Sequence, residues 1–460
     1  MSKYRIFADF GSTFTKLVAF DMEKEELAAR VQAPSSVDTD IMIGLREAFQ
    51  KLSELISVTG DDIGDTVACS SAAGGLRMLC IGLVPDYTTE AGRLAALGAG
   101  AKVIGEYSFE LTGFETKEIL ELAPDIILLT GGTDRGNSKV IIHNARMLAA
   151  MEDYHGYIVV AGNCDATDEI REIFGADNPK VYYTENVMPK LGKLNLAPVN
   201  RAIREIFIRH ITEAKGLSAA DRMLSGIVMP TPSAVFEAAK LIAFGVPGSA
   251  YGFGDLLLVD VGGATTDVYS ICDGKPTQDG VEMIGMEEPY AKRTVEGDLG
   301  LFHNLETLSA FAEEEHVAIR GDLQTAVEQL RASRSVPTES ADAENQLQFS
   351  RLAVSLAVNR HAGTCVTEMT PHGVSFRQYG KDLSDVETVI GAGGPICFSP
   401  DPGFVLEGAV ADAAHPQILK PKEPKLLMDS KYILFAIGLL SQTEPEAAFR
   451  IVKKYLKTIH

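Results

Sequence analysis

The 460-residue sequence predicts an α/β protein made of two similar domains, with an additional α/β module in the first half of the chain. A stretch at residues 4–20 returns, with changes, at residues 255–271. Between residues 101 and 183, apolar runs of strand length alternate with helical stretches, which is the pattern of parallel βαβ units. The length is enough for several domains of about 100–200 residues each.

The repeat consists of an apolar strand that ends in aspartate, a turn rich in small residues, and a second apolar strand. Residues 4–20 read YRIFADFGSTFTKLVAF, and residues 255–271 read DLLLVDVGGATTDVYSI. The aligned pairs are Asp9 with Asp260, Gly11 with Gly262, Ser12 with Gly263, and Thr15 with Thr266. The two copies lie much farther apart than solenoid repeats do, so the sequence predicts two related domains rather than an array.

The other elements are predicted from periodicity and from turn residues. Strands are expected at 26–33, 66–70, 76–84 and 388–391, and helices at 41–57, 231–243, 306–331, 346–369, 431–440 and 445–456. Residues 332–345 are expected to form an exposed loop. We therefore predict a first lobe over 1–250, with the inserted module at about 101–190, and a second lobe over 251–460, with a helical subdomain at about 300–385.

Charge and cysteine content narrow the functional classes. The formal net charge of −21 argues against nucleic acid and anionic membranes as partners, because phosphate-rich surfaces select basic proteins. The six cysteines form no CxxC pair and no zinc-finger spacing with histidine. The strand pattern begins at Tyr4, which leaves no room for a signal peptide. We expect a cytoplasmic protein without disulfide bonds.

Both turns of the repeat carry residues suited to a phosphate and its metal. Small residues let backbone N–H groups approach an anion closely, and Lys16 adds a point charge. A carboxylate at the end of a buried strand, as at Asp9 and Asp260, can hold a hydrated Mg²⁺. Either turn alone is more simply explained as an ordinary tight β-turn. Two aligned copies favour a pair of hairpins that grip one di- or triphosphate.

Two further glycine-rich loops have open interpretations. The loop Gly391–Ile396 follows a predicted strand and could pack against an adenine or ribose, or could be a simple strand-to-helix turn. Its position after the second hairpin favours nucleotide contact. The loop Gly131-Gly132-Thr133-Asp134 could hold an anion at a helix N-terminus, but a βα turn capped by Asp134 is the favoured interpretation. That loop could also face a partner.

These residues together resemble the actin-like ATPase superfamily, which includes actins, chaperone ATPases, and sugar and acetate kinases. Asp9-x-Gly11-Ser12 with Lys16 is similar to the first phosphate loop of actin, and residues 260–267 (DVGGATTD) resemble the second phosphate loop of the chaperones. The loop at 391–396 resembles the adenosine loop. The resemblance implies a fold of duplicated ribonuclease H-like domains. Thr231 stands where the chaperones carry an acidic residue, which predicts slow hydrolysis or a nucleotide-gated switch.

The resemblance also implies site residues and cofactors. The cofactors are ATP or ADP with Mg²⁺, and Asp9 and Asp260 would hold the metal through water. Asp9, Asp260 and Asp267 are the implied catalytic residues. The implied phosphate-binding residues are Gly11, Ser12, Thr13, Thr15, Lys16, Gly262, Gly263, Ala264, Thr265 and Thr266. The implied adenosine loop consists of Gly391, Ala392, Gly393, Gly394 and Pro395.

Within the superfamily, the chain resembles the MutL/GlmL family of glutamate mutase accessory proteins along effectively its full length. The stretches that carry this likeness include 6–16, 71–77, 91–102, 128–134, 161–163, 185–189 and the second hairpin. The resemblance implies an ATPase-like reactivating factor whose partner is an adenosylcobalamin-dependent carbon-skeleton mutase. Two alternatives stay open: a small-molecule kinase on the same fold, which would need an acceptor pocket, and a nucleotide-bound scaffold without turnover.

Overall fold

The computed structural model describes residues 3–11, 13–36, 41–56, 63–71, 76–214, 225–302, 305–333, 341–370 and 373–459. These residues fall into two compact units. The first comprises Met1–Ala72, Ser218–Ile284 and Glu288–His460, and the second comprises Ala73–Leu217 with Gly285–Glu287. The second unit contains the predicted inserted module and extends beyond 101–190 in both directions.

The strands of the described residues are numbered along the chain. They are β1 (Tyr4–Phe10), β2 (Phe14–Asp21), β3 (Glu26–Pro34), β4 (Ile63–Ser70), β5 (Arg77–Gly82), β6 (Lys102–Ser108), β7 (Ile126–Leu129), β8 (Tyr157–Val160), β9 (Val181–Tyr183), β10 (Gly226–Pro230), β11 (Gly245–Val246), β12 (Ala250–Tyr251), β13 (Leu256–Val261), β14 (Thr266–Ile271), β15 (Val281–Ile284), β16 (Ala291–Glu296), β17 (Thr364–Thr370), β18 (Gly373–Tyr379), β19 (Thr388–Ala392), β20 (Lys425–Asp429) and β21 (Leu456–Thr458).

The α-helices are numbered in the same way. They are α1 (Ile41–Leu55), α2 (Glu90–Gly98), α3 (Gly113–Leu122), α4 (Lys139–Ala149), α5 (Thr167–Phe174), α6 (Leu196–Ala214), α7 (Thr231–Phe244), α8 (Leu305–Glu314), α9 (Leu323–Ser333), α10 (Ala341–His361), α11 (Gly394–Cys397), α12 (Pro402–Leu406), α13 (Leu434–Leu440) and α14 (Pro445–Tyr455).

The first unit contains two sheets with the same topology. One has the order β3-β2-β1-β4-β10, and the other has the order β16-β14-β13-β19-β20 with β21 added at its edge. In each sheet the first three strands along the chain are antiparallel neighbours, and the next two are parallel to the central strand and to each other. The predicted duplication is confirmed, and the fold is the actin-like pair of ribonuclease H-like lobes.

Two equivalent helices join the lobes. Helix α7 follows β10 and α13 follows β20, and their backbones come so close that a Cβ at Gly438 would lie 1.7 Å from the Ala234 carbonyl oxygen. One apolar core surrounds this crossing and draws on both sheets, with Phe7 and Phe20 from the first lobe and Tyr269 from the second. Each large side chain buried there contributes about 1.5–3 kcal/mol to folding.

The second lobe corrects three sequence-based predictions. The helix expected at 306–331 is divided into α8 and α9. In the loop expected at 332–345, residues 334–340 lie outside the described residues and α10 already begins at Ala341. Residues 346–369 were expected to be helical, but α10 ends at His361 and β17 begins at Thr364. Between them, a Cβ at Gly363 would lie 2.5 Å from the carbonyl oxygen of Tyr379 in β18, so the backbone is packed too closely for a helix to continue. The region predicted as a helical subdomain, about 300–385, therefore holds α8, α9 and α10 together with the β17–β18 hairpin.

The second unit is a parallel sheet in the order β6-β5-β7-β8-β9, as the alternating pattern predicts. The loop after β7 is tied to the loops after β8 and β9. An Asp134 carboxylate oxygen accepts hydrogen bonds from the Cys164 N–H at 3.1 Å and from the Asn186 amide at 2.9 Å. The Gly131–Asp134 loop thus has a structural role in the unit, in line with the βα-turn interpretation. The predicted cap is wrong, because α4 begins after Ser138 and Asp134 contacts the neighbouring loops instead.

None of the helices in the described ranges combines the length and hydrophobicity that a membrane crossing requires. The six cysteines are all free thiols.

Candidate functional site

The two predicted hairpins have equivalent turns. The Gly11 N–H donates to the Phe14 carbonyl oxygen at 3.1 Å, and the Gly262 N–H donates to the Thr265 carbonyl oxygen at 2.9 Å. These two amides therefore close the turns, and backbone donors to a phosphate must come from neighbouring positions. The strand register pairs Asp9 with Lys16 and Asp260 with Asp267, so Lys16 and Asp267 occupy equivalent places in the two lobes.

The tips of the hairpins lie next to each other. A Cβ at Gly263, in the second turn, would be 3.6 Å from the hydroxyl oxygen of Thr13 in the first turn. The same Cβ would be 2.9 Å from the Phe302 ring. The strands β1 and β13 therefore end at one shared site, which is the arrangement that the phosphate-clamp hypothesis requires.

Asp9 is buried and fully engaged. One carboxylate oxygen accepts from Lys16 Nζ at 2.8 Å, and the other accepts from the Thr231 hydroxyl at 2.6 Å. Burial alone would lower the pKa of Lys16, but the Asp9 carboxylate and the Tyr432 hydroxyl outweigh burial and raise this pKa, so Lys16 stays charged. Thr231, which departs from the chaperone pattern, thus contacts the first aspartate directly.

Asp260 is in the opposite situation. It is partly buried, and no described residue donates a hydrogen bond to its carboxylate. Burial, and then the negative charge of Asp267, raise the pKa of Asp260 to about 7. Its carboxylate is therefore open to hydrogen bonds from water or from a ligand.

Asp267 is paired with an arginine that the sequence did not single out. Arg293, on the third strand of the second lobe, donates to one Asp267 carboxylate oxygen from Nε at 3.0 Å and from Nη2 at 2.5 Å. The Thr265 hydroxyl donates to the other oxygen at 3.1 Å. Both partners of the ion pair are buried, so the loss of either would leave the other as an unpaired buried charge.

The predicted phosphate-binding threonines divide into two groups. The side chains of Thr15 and Thr266 are fully buried, and the Thr266 hydroxyl donates to the Leu299 carbonyl oxygen at 2.7 Å. Both alternate along their strands with Lys16 and Asp267, so they face the opposite side of the sheet. Thr13 and Thr265 lie in the turns instead. Ser12 lies outside the described residues.

Ala264 is packed against the chain at Gly300, where a Cβ would be 2.2 Å from the Ala264 carbonyl carbon. As nucleotide-binding residues, all these positions stay a prediction.

The predicted adenosine loop lies beside Asp260. Strand β19 runs parallel to β13, with Ala392 opposite Asp260. Gly393 has φ +86°, and a Cβ there would lie 2.0 Å from the Val261 carbonyl oxygen and 2.7 Å from an Asp260 carboxylate oxygen. Only glycine fits this close approach. The loop then turns into the short helix α11, which begins at Gly394 with Pro395 in its first turn.

The site also contains an aromatic cluster that the sequence patterns do not indicate. Tyr432 accepts a hydrogen bond from Lys16 Nζ at 3.2 Å, and its ring packs edge-on against Phe398, with 6.3 Å between centroids. The Arg30 guanidinium lies over both rings, at 5.3 Å from the Tyr432 centroid and 5.2 Å from that of Phe398. Phe398 directly follows α11, so these residues lie next to the predicted adenosine loop. The tyrosine sits at the start of an apolar run and carries no motif, which is why sequence patterns did not indicate it.

The chain is similar to several known proteins. Two solved structures overlap with it over most of their lengths. EutJ, an ethanolamine utilization protein from Carboxydothermus hydrogenoformans, is 13% identical, with 97% of this chain and 89% of that chain covered and a TM-score of 0.32. Gluconate kinase from Lactobacillus acidophilus is 11% identical, with 100% and 93% covered and a TM-score of 0.38. At these scores the fold assignment rests on the strand order described above.

The sequence comparisons are much stronger. Protein MutL from Clostridium tetanomorphum is 44% identical over 462 residues, which is 97% of this chain and 98% of that protein. The profile of the family described as MutL protein matches residues 5–456. The chain belongs to the MutL protein family.

Proposed function

We propose that this protein is an ATP-binding, Mg²⁺-dependent switch that reactivates an adenosylcobalamin-dependent carbon-skeleton mutase of the glutamate/methylaspartate type. Membership of the MutL family supports the association with glutamate mutase. The nucleotide part is supported by one observation above all: the two hairpin tips meet at a site where Asp260 lacks a hydrogen-bond donor among the described residues. A di- or triphosphate with its cation is the ligand that this geometry suits best.

The donor set fits a hydrated Mg²⁺ rather than a cation bound directly by many protein groups. No cluster of three or more acidic, histidine or cysteine side chains with metal-binding geometry occurs in the described part of the chain. Mg²⁺ keeps several waters and takes few carboxylates, and the free oxygens of Asp260 are suited to accept hydrogen bonds from those waters. When bound, the cation would neutralise charge on the β- and γ-phosphates.

The residues of the chain have distinct roles in this proposal. Lys16 contacts a phosphate oxygen from the first lobe, and Thr13 and Gly263 line the phosphates at the two tips. Asp9, for which the resemblance implies a metal-holding role, instead holds Lys16 in this proposal, because both of its oxygens already accept hydrogen bonds. Asp267, neutralised by Arg293, lines the opposite side of the site. ATP would bind both lobes at once and favour a closed state, which loss of the γ-phosphate would release. Because Thr231 is neutral, we propose that hydrolysis is slow.

The proposal is tested with purified protein, ATP and Mg²⁺, and a mutase inactivated by bound hydroxocobalamin. We expect slow phosphate release and a return of mutase activity that depends on ATP. Asp260→Ala should abolish ATP-dependent reactivation, because the metal-bearing phosphates lose their partner in the second lobe. Asp273→Ala, which removes an exposed aspartate of the same lobe, serves as the matched control and should behave as the wild type.

Three outcomes would contradict parts of the proposal. Wild-type reactivation by the Asp260→Ala variant would show that Asp260 does not hold the metal. Tight ATP binding without phosphate release or reactivation would leave a nucleotide-bound scaffold. Transfer of phosphate to a small acceptor would identify a kinase instead.

A further inference from the structure

Tyr432 lies in a tightly held turn between β20 and α13. Its φ is +54°, a left-handed conformation that is unfavourable for a residue other than glycine. The buried Asp429 carboxylate supports the turn, because it accepts hydrogen bonds from the N–H groups of Lys431 at 3.2 Å, Ile433 at 2.5 Å and Leu434 at 2.9 Å. Strained residues that their surroundings hold in place in this way are typical of functional sites.

The ring of Tyr432 is fixed on several sides. Lys16 Nζ is 4.6 Å from the ring centroid and donates to the hydroxyl, while Arg30 and Phe398 pack against the same ring. Burial raises the pKa of Tyr432 to about 12, so the hydroxyl is neutral at physiological pH. The lysine therefore meets a rigid, neutral acceptor on one side and the Asp9 carboxylate on the other.

A lysine side chain has four rotatable bonds, so a single contact with the Asp9 carboxylate would leave its ammonium group several possible positions. The second anchor restricts it. We propose that Tyr432 is a positioning residue, which holds the Lys16 ammonium group at the place where the terminal phosphates of the nucleotide bind. This inference rests on the proposed nucleotide site and adds a residue of the second lobe to a phosphate contact made from the first.

The test compares Tyr432→Phe, Lys16→Met and the double variant with the wild type. The affinities for ATP with Mg²⁺ and for adenosine, which lacks phosphate, are measured by titration calorimetry. Tyr432→Phe keeps the ring and removes only the hydroxyl. We expect it to weaken ATP binding about tenfold, as loss of one hydrogen bond to a charged group does, and to leave adenosine binding unchanged. Tyr251→Phe, at an almost fully exposed tyrosine, is the matched control and should bind both ligands as the wild type does.

The double variant shows whether Tyr432 acts through Lys16. If it does, Tyr432→Phe causes no further loss of ATP affinity in the Lys16→Met background. Equal losses for ATP and adenosine, or additive losses in the double variant, would overturn the inference. If Lys16→Met binds ATP weakly and Tyr432→Phe binds it as the wild type does, the role of Tyr432 would be refuted but the proposed phosphate site would stand. Wild-type ATP affinity of Lys16→Met, or no ATP binding by the wild type, would refute the proposed phosphate site as well.

Discussion

At the scale of single residues, equivalent positions in the two lobes carry opposite charges. Lys16 and Asp267 occupy equivalent places after the two turns, and each is neutralised by a different partner. Lys16 pairs with the aspartate of its own hairpin, whereas Asp267 pairs with Arg293 from the neighbouring strand. Among the residues that the structure describes, none forms an ion pair with Asp260, the second-lobe equivalent of Asp9.

Arg293→Met should destabilise the protein by about 3–5 kcal/mol, because it leaves the buried Asp267 carboxylate without its partner. Urea unfolding, followed by circular dichroism, measures the change. Arg331→Met breaks the exposed ion pair with Glu306, and the free energy of unfolding should stay close to that of the wild type. Similar costs for both variants would show that the Asp267–Arg293 pair does not behave as a buried pair.

At the scale of elements, the helices α7 and α13 pack backbone against backbone where they cross. Both helices follow the last parallel strand of their sheet, and the contact at Gly438 leaves no space for a side chain. Larger residues on either side fill the shared core, so the crossing combines one point of backbone contact with a broad apolar surround.

Gly438→Ala should therefore destabilise the protein by about 1–3 kcal/mol or more, since the added methyl group meets the Ala234 backbone rather than a flexible side chain. The thermal unfolding midpoint reports the effect. Gly113→Ala introduces the same methyl group where no atom lies within 4 Å, and we expect a neutral or slightly stabilising change there. A neutral Gly438→Ala variant would mean that the helices separate at little cost.

At the scale of the whole molecule, the chain has two units with separate apolar cores. The site residues Asp9, Lys16, Asp260, Asp267 and Tyr432 all belong to the first unit, and the second unit has a core of its own around β5, β7 and β8. A ligand at the hairpins acts directly on only one of the two.

We accordingly expect ATP with Mg²⁺, at 100 times its dissociation constant, to stabilise the protein by about 2.7 kcal/mol. Hydrogen exchange should show the protection in β1, β2, β13 and β14, with little change in β5–β9. The same experiment with Asp260→Ala is the control and should show a much smaller effect. Protection confined to the second unit would place the nucleotide elsewhere.

The sequence predicts much of this site because its signals are local. Each hairpin is a short continuous stretch, and the repeat identifies both, so Asp9 and Asp260 were found together. Side chains alternate along a strand, so if Lys16 and Asp267 face the site, Thr15 and Thr266 must face the opposite side of the sheet. The sequence alone therefore indicates that these two threonines do not face the site. Tyr432 and Arg293 could not be identified, since their roles depend on contacts across the fold: Tyr432 lies 416 positions from Lys16.

The backbone contact between Gly438 and Ala234 also limits how the lobes can move. Direct contact between the two backbones, inside a shared apolar core, resists sliding of one helix along the other but still permits a small rotation at the crossing. If ATP closes the lobes as we propose, a small displacement near the hairpins would become a larger one at the outer edges of the sheets. A partner protein bound at those edges would then respond to whether ATP is present.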